Sequence, residues 1–244
     1  MQCVRLRAAR LLIPLAAVFT LAGCSTGKDL DLKEAASVHR IALIEPHGPD
    51  QYLVGSNRSS GSITGNGSLL GDIIKSSRAD NDTNRQFRAD LAQENLKLGA
   101  DLGAALESAL RQDGYDVVSV SLPASQPEEL IQDLSSLKGK ADAALDVAIR
   151  GAGYAYATGH PYEPSIDVAV QLTDLGTQKV LFRRTYTYGR YQPEQGVADE
   201  MIPPDAGYEF RGGGDLLKDP ARAAAGLRSS VPHLAERIGS ALKQ

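Results

Sequence analysis

Residues 141–188 read ADAALDVAIRGAGYAYATGHPYEPSIDVAVQLTDLGTQKVLFRRTYTY. Three strand signals follow one another here. Leu145, Val147 and Ile149 alternate within a long β-rich run, 141–157. Ile166, Val168, Val170 and Leu172 alternate in a second run. Asp174-Leu175-Gly176-Thr177 then supplies turn chemistry, and Val180, Phe182, Arg184, Tyr186 and Tyr188 mark the returning arm. Two alternating arms joined by a short turn make an antiparallel hairpin, so this part of the chain belongs to a sheet.

Working outward, residues 38–46 (VHRIALIEP) carry the unbroken apolar run Ile41-Ala42-Leu43-Ile44, the pattern of a strand buried on both faces. Residues 84–112 place Phe87, Leu91, Leu98, Leu102, Ala105, Leu106 and Ala109 on one helical face, and Gly114 stops the run. Residues 115–122 (YDVVSVSL) read as a strand. Pro127-Glu128-Glu129 opens a second predicted helix, with Leu130, Ile131, Leu134 and Leu137 inward. Asp219-Pro220 caps a terminal helix with Ala224, Leu227, Val231, Leu234, Ile238 and Ala241 on its apolar face and a kink at Pro232. The order β-α-β-α-β-β-β-α predicts an α/β (α+β) domain: one mixed β-sheet with helices packed on the sheet. Residues 38–244 are read as a single domain with mobile loops at about 46–68 and 191–218, the second long enough to suggest either a binding role or disorder. Leu69, Leu70, Ile73 and Ile74 suit a short amphipathic helix.

The first 23 residues are different. Arg5, Arg7 and Arg10 precede an uncharged run, 11–23, which is the layout of an export signal. The run falls short of the roughly 20 apolar residues that cross a bilayer as a helix. Leu21-Ala22-Gly23-Cys24 resembles the lipobox of bacterial lipoproteins at every position. That resemblance implies cleavage before Cys24, a diacylglycerol on its thiol, acylation of the new amino group and membrane attachment. Ser25 stands where many inner-membrane lipoproteins carry Asp, so the resemblance implies the periplasmic face of the outer membrane. Residues 24–37 are polar and read as a tether. Cys3 leaves with the signal, so no disulfide and no cysteine-based metal site or nucleophile is expected in the mature chain. Loss of three arginines takes the net charge from −4 to −7, which argues against nucleic acid as a partner.

The stretch Gly65–Asp72, GNGSLLGD, comes near a dinucleotide fingerprint, but Leu70 stands where the third glycine belongs and the nearest strand lies about twenty residues upstream. No GxxxxGK occurs. The four histidines (His39, His47, His160, His233) show no HExxH spacing and are read as surface residues, and no G-x-S-x-G elbow is present. The sequence thus calls for no cofactor and no metal, and the expectation is a protein that is not an enzyme.

The aromatic content is distinctive. There is no Trp, and seven of the nine Tyr follow Gly151. Tyr154 and Tyr156 share a strand face, as do Tyr186 and Tyr188. With Arg184 they define a candidate partner interface, since Tyr and Arg are favoured at interfaces; strand propensity and cross-strand pairing explain them equally well.

RIALIEP, ALESALRQDGYDVV, KADAALDVAI, VQLTDLGTQKVLF and an alanine-rich terminal helix together resemble a group of envelope lipoproteins. The group includes the auxiliary lipoproteins of lipid-transporting ABC systems, the curli-secretion channel lipoprotein and lipoprotein activators of peptidoglycan synthases. The resemblance implies an accessory or binding role in envelope transport or assembly, with an envelope protein as partner. The alternative is a regulator that binds a peptidoglycan synthase or the wall, and a third reading is an enzyme of unknown chemistry.

Overall fold

A computed structural model describes residues 27–48, 52–56, 82–156, 159–189 and 199–243. It shows an α+β fold built on a mixed seven-stranded sheet. The strands are β1 (Arg40–Ile44), β2 (Tyr52–Ser56), β3 (Asp116–Val120), β4 (Ala143–Tyr156), β5 (Glu163–Asp174), β6 (Val180–Tyr188) and β7 (Glu200–Ile202). Their order is β3-β1-β4-β5-β6-β7, with β2 also on β4. β1 pairs parallel with β3 and β4, whereas β4, β5 and β6 form the expected antiparallel meander.

β2 is a strand that the sequence reading placed inside a loop. It lies parallel to the far half of β4, from Tyr52↔Ala152 to Ser56↔Tyr156. His47 bridges β1 to it along the same edge, taking the Val147 carbonyl at 3.1 Å and giving its own carbonyl to Ile149 N at 2.6 Å. Five residues with a glycine among them (YLVGS) are too short a signal to stand out from the surrounding Gly/Ser composition. Gly153 makes the pairing possible: a Cβ there would stand 1.9 Å from the Leu53 carbonyl oxygen. The segments GNGSLLGD and Leu69–Ile74 lie outside the described residues, as does Cys24.

The helices pack on one sheet face: α1 (Leu32–Ala35) at its lower end, then α2 (Asp82–Gln93), α3 (Leu98–Gln112), α4 (Gly213–Lys218), α5 (Pro220–Arg228) and α6 (Ser230–Leu242). Leu102, Leu106 and Leu110 of α3 and Leu234 and Ile238 of α6 meet Ile41, Leu145, Val168, Val170 and Phe182 in the main core. The long helix predicted over 84–112 is two helices, because Asn95 sits at φ 50°, a left-handed position that ends α2. The terminal helix also divides. Pro232 has no N–H for the Arg228 carbonyl and its ring crowds that group, so α5 ends at Arg228. Ser229 and Ser230 hydroxyls take the Gly226 and Leu227 carbonyls at 2.9 and 2.7 Å.

The helix expected from Pro127 is absent. Leu134 and Leu137 are buried against Ala42, Ile44 and Ala144 on the second sheet face, but only Ser135–Leu137 forms a 3-10 turn. The reason is local. A first helical turn would join the Pro127 carbonyl to the Ile131 N–H. Here His47 Nδ1 holds that carbonyl at 2.7 Å and Asp146 Oδ2 accepts that N–H at 2.6 Å.

Two further corrections concern segments read as tether and loop. Lys28 exchanges backbone hydrogen bonds of 2.6 and 2.8 Å with Arg183 of β6, and Ala35 is buried, so 27–37 is part of the folded body. Residues 199–218 are also ordered, as β7, a 3-10 turn at Ala206–Tyr208 and α4. β7 pairs parallel with Tyr186–Tyr188. Three pieces thus complete the outer edge of β6: Lys28 at Arg183, Asp199 at Thr185, and β7 beyond.

Candidate functional site

The five residues assigned to a partner interface are not brought together on the surface. Tyr154, Tyr186 and Tyr188 are each 0% exposed. Register explains it: Tyr186 stands opposite Val168 and Tyr188 opposite Ile166, in phase with Phe182 and therefore beneath the helices. Tyr154 lies edge-on to Phe87 and Phe210, with centroids 6.1 and 5.4 Å away, and donates to the Ala223 carbonyl at 3.2 Å. Tyr188 meets Ser229 Oγ and Asp205 N, both at 3.0 Å, and stacks on His233. Burial pushes the Tyr186 phenol up to about 12. The parity of the hairpin carried this signal, since Tyr186 and Tyr188 continue the apolar phase. Arg184 and Tyr156 stay partly exposed, at two separate places.

Tyr156 belongs to an open hollow of about 470 Å³ at the β4–β5 hairpin end, lined also by Gly159, His160, Pro161, Tyr162 and Arg211. Its wall is built from the backbone up. Tyr162 and Phe210 exchange backbone hydrogen bonds of 2.7 and 2.9 Å, which brings the 199–218 segment against the hairpin. Arg222 covers the Phe210 ring at 4.6 Å. The Tyr156 and Tyr162 rings pack with centroids 4.3 Å apart. Burial first, and the Tyr156 phenol second, raise Tyr162 to about 12, so the Tyr162 hydroxyl stays a neutral donor at physiological pH. Two phenol faces beside a guanidinium suit stacking and hydrogen bonding, and no nucleophile–base pair occurs among the described residues that line the hollow.

Arg184 sits at the β6 edge, 3.0 Å from Glu200 and also paired with Asp29. With Gly27, Asp29 and Asp199 it lines a second hollow of about 310 Å³. This is the place where the N-terminal segment joins the sheet.

His47 departs from its reading as a surface histidine. Its side chain is 13% exposed and Nε2 lies 2.8 Å from Asp146 Oδ1. Burial alone would depress the imidazole, but the Asp146 and Pro127 bonds outweigh it and the net displacement is upward. Both ring nitrogens are committed, so the pair clasps the 127–131 segment to the sheet rather than offering a base to a substrate. Sequence spacing could not reveal it, because the partners lie 99 and 80 residues away. Among the described residues no group of three His, Cys, Asp or Glu side chains could hold a metal ion. Within those residues no helix is long and apolar enough to cross a membrane.

No protein-family model matches the chain and no curated protein matches it. Solved structures do resemble it. A PelC dodecamer from Paraburkholderia phytofirmans aligns at 15% identity over 84% of this chain and 88% of that one, with a TM-score of 0.37. A Xanthomonas campestris protein of the family DUF330 aligns at 15% identity over 83% of each chain, also at 0.37. A homologue of a neuraminyllactose-binding hemagglutinin from Helicobacter pylori aligns at 12% identity over 83% and 86%, at 0.31. Likeness at this level assigns no function.

Proposed function

We propose that the chain is a lipid-anchored binding or accessory protein of a cell-envelope transport or assembly system, held at the periplasmic face of the outer membrane and acting without catalysis. The observation that carries this reading is the junction of signal and fold. Leu21-Ala22-Gly23-Cys24 is followed only four residues later by Lys28, which is hydrogen-bonded into the β6 edge. An acylated Cys24 would thus attach to a sheet rather than to a long flexible leader, and two or more acyl chains give stable attachment. The working surface is the Tyr156–Tyr162–Arg211 hollow, which replaces the buried tyrosines as the place for an envelope partner.

A second reading is that the hollow takes the wall itself. Its adjacent phenol rings and Arg211 suit the faces and carboxylates of a glycan-peptide polymer.

The test is crosslinking and capture from intact cells, comparing the full chain, Cys24→Ala, and a Tyr156→Ser/Arg211→Ala pair. Mass spectrometry of the mature N-terminus is run in parallel. The expected result is a diacylglyceryl-modified Cys24 and an envelope protein captured by the full chain and lost from the paired variant. Sedimentation with purified peptidoglycan in the absence of protein would favour the second reading. An unmodified Cys24 would overturn the anchored reading.

A further inference from the structure

We infer that the lower end of the sheet, around Leu32, is a lipid-contacting face that the short anchor presses against the membrane. The inference rests on the anchored reading given above and adds an orientation to it.

The first step is reach. Each residue spans at most about 3.6 Å, so Cys24 lies within roughly 14 Å of Lys28 whatever path the chain takes between them. Lys28 cannot swing freely, because its N–H and carbonyl are both bonded to Arg183 and its ammonium reaches Glu34 and the Val180 carbonyl. The β6 edge near Arg183 is therefore within about 14 Å of the acylated residue, roughly twice the thickness of the headgroup layer on one side of a bilayer and too short to let the domain stand away from the membrane.

The second step asks what that end of the molecule offers. Register locates it: Arg183 stands opposite Gln171, and Gln171 opposite Asp146, near the start of β4 and beside the β5–β6 turn. α1 lies at the same end, tied there by Glu34, which bridges Lys28 and Lys179. The Lys179 hydrogen bond, aided by the Lys179 and Lys28 charges and opposed by burial, holds the Glu34 carboxyl below its usual range, so the bridge is ionised at neutral pH.

Leu32 of α1 is 57% exposed, the most exposed large apolar side chain among the described residues. Lys33 adjoins it in sequence, and Lys138 and Lys140 lie just before β4 begins; all three are exposed and stand outside the ion pairs of this end. One projecting leucine at an end that also carries three exposed ammonium groups outside these ion pairs suits an anionic interface better than water. There the leucine enters the headgroup–acyl boundary and the lysines meet lipid phosphates. The occupant is a lipid surface rather than a protein, because the anchor leaves too little slack for a folded partner to sit between.

The opposite end of the same hairpin supplies the control. From Asp146 to Tyr156 is ten strand residues, about 33 Å at roughly 3.3 Å each. His160 is exposed at that far end.

The mature chain has no thiol other than Cys24. Leu32→Cys and His160→Cys in the full lipidated protein can each carry one environment-sensitive fluorophore. The proteins are reconstituted on vesicles of phosphatidylethanolamine and phosphatidylglycerol containing a headgroup-level spin-labelled lipid quencher. The label at residue 32 is expected to be quenched at least about two-fold more than the label at 160, as its burial some 5–10 Å into the interface requires. A Gly/Ser insertion of about ten residues between Thr26 and Gly27 adds roughly 17 Å of reach and is expected to abolish most of that difference. Equal quenching at 32 and 160 in a protein that floats with the vesicles overturns the inference and leaves the anchored reading standing. Quenching at 32 that the insertion does not change overturns the role of the short anchor. Failure to float, with Cys24 unmodified by mass spectrometry, overturns both.

Discussion

His47 and Asp146 decide the course of a whole segment from two side chains. Together they take the Pro127 carbonyl and the Ile131 N–H, the pair that would begin a helix. Removing the carboxylate leaves His47 Nε2 and the Ile131 N–H, both partly buried, without their partner, so Asp146→Ala is expected to cost about 3 kcal/mol, measured by urea denaturation. Linkage gives the pH dependence. The folded His47 value lies above the ordinary 6.5. Its stabilisation is therefore fully present below about 6.5 and is lost as pH rises through the raised folded value. The melting-temperature advantage of the native chain over His47→Gln should be largest on the acid side of that window and shrink on the alkaline side. The tyrosines give a second residue-scale comparison. The buried Tyr186 hydroxyl has no partner at normal hydrogen-bond geometry among the described residues, with only the Arg184 guanidinium as a looser polar neighbour, whereas the Tyr188 hydroxyl has two partners. Tyr186→Phe should be neutral or slightly stabilising, and Tyr188→Phe should cost about 1–3 kcal/mol, because Asp205 N and Ser229 lose their partner.

At the scale of elements, β2 is the piece most dependent on its neighbours. One side of it follows β4, and on the other Asn84 of α2 accepts Val54 N at 2.6 Å. Asn84→Ala should speed hydrogen exchange at Val54 and lower stability by about 1–3 kcal/mol, while leaving β5 and β6 protected. Gly153→Ala is more severe, because its new carbon would meet the Leu53 carbonyl and force β2 from the sheet. The elements also show what patterning alone could reveal. The hairpin of β5 and β6, the strand β4 and the strand β1 were legible because alternation or an unbroken apolar run extends over most of each. β2 was hidden in a Gly/Ser-rich stretch. The split of the long helix depended on one backbone angle at Asn95, and the missing helix at Pro127 depended on two side chains distant in sequence. As for the candidate site, Tyr156 was singled out, but its companions Tyr162 and Arg211 become neighbours only through the Tyr162–Phe210 backbone pair. Nothing in the spacing of those residues announces it.

For the whole molecule, the arrangement has two ends. Lys28, the β5–β6 turn and α1 occupy one, and the Tyr156–Tyr162 hollow occupies the other, with β4 and β5 running between them. Substituting the far end, as in Tyr156→Ser with Arg211→Ala, should change partner capture and leave flotation with membranes unaltered; substituting Cys24 should do the reverse. In the exported protein proposed above, the stitch at Lys28 forms in a particular order. Lys28 emerges early, but Arg183 arrives only after most of the chain has crossed. Closing that long loop carries an entropic cost that only the finished sheet offsets. Until then an acylated Cys24, as proposed, would hold the domain only by a long, slack polymer. In that anchored reading, folding reels the domain in to a leash of four residues, so the distance between the protein and its membrane becomes a readout of whether the sheet has formed.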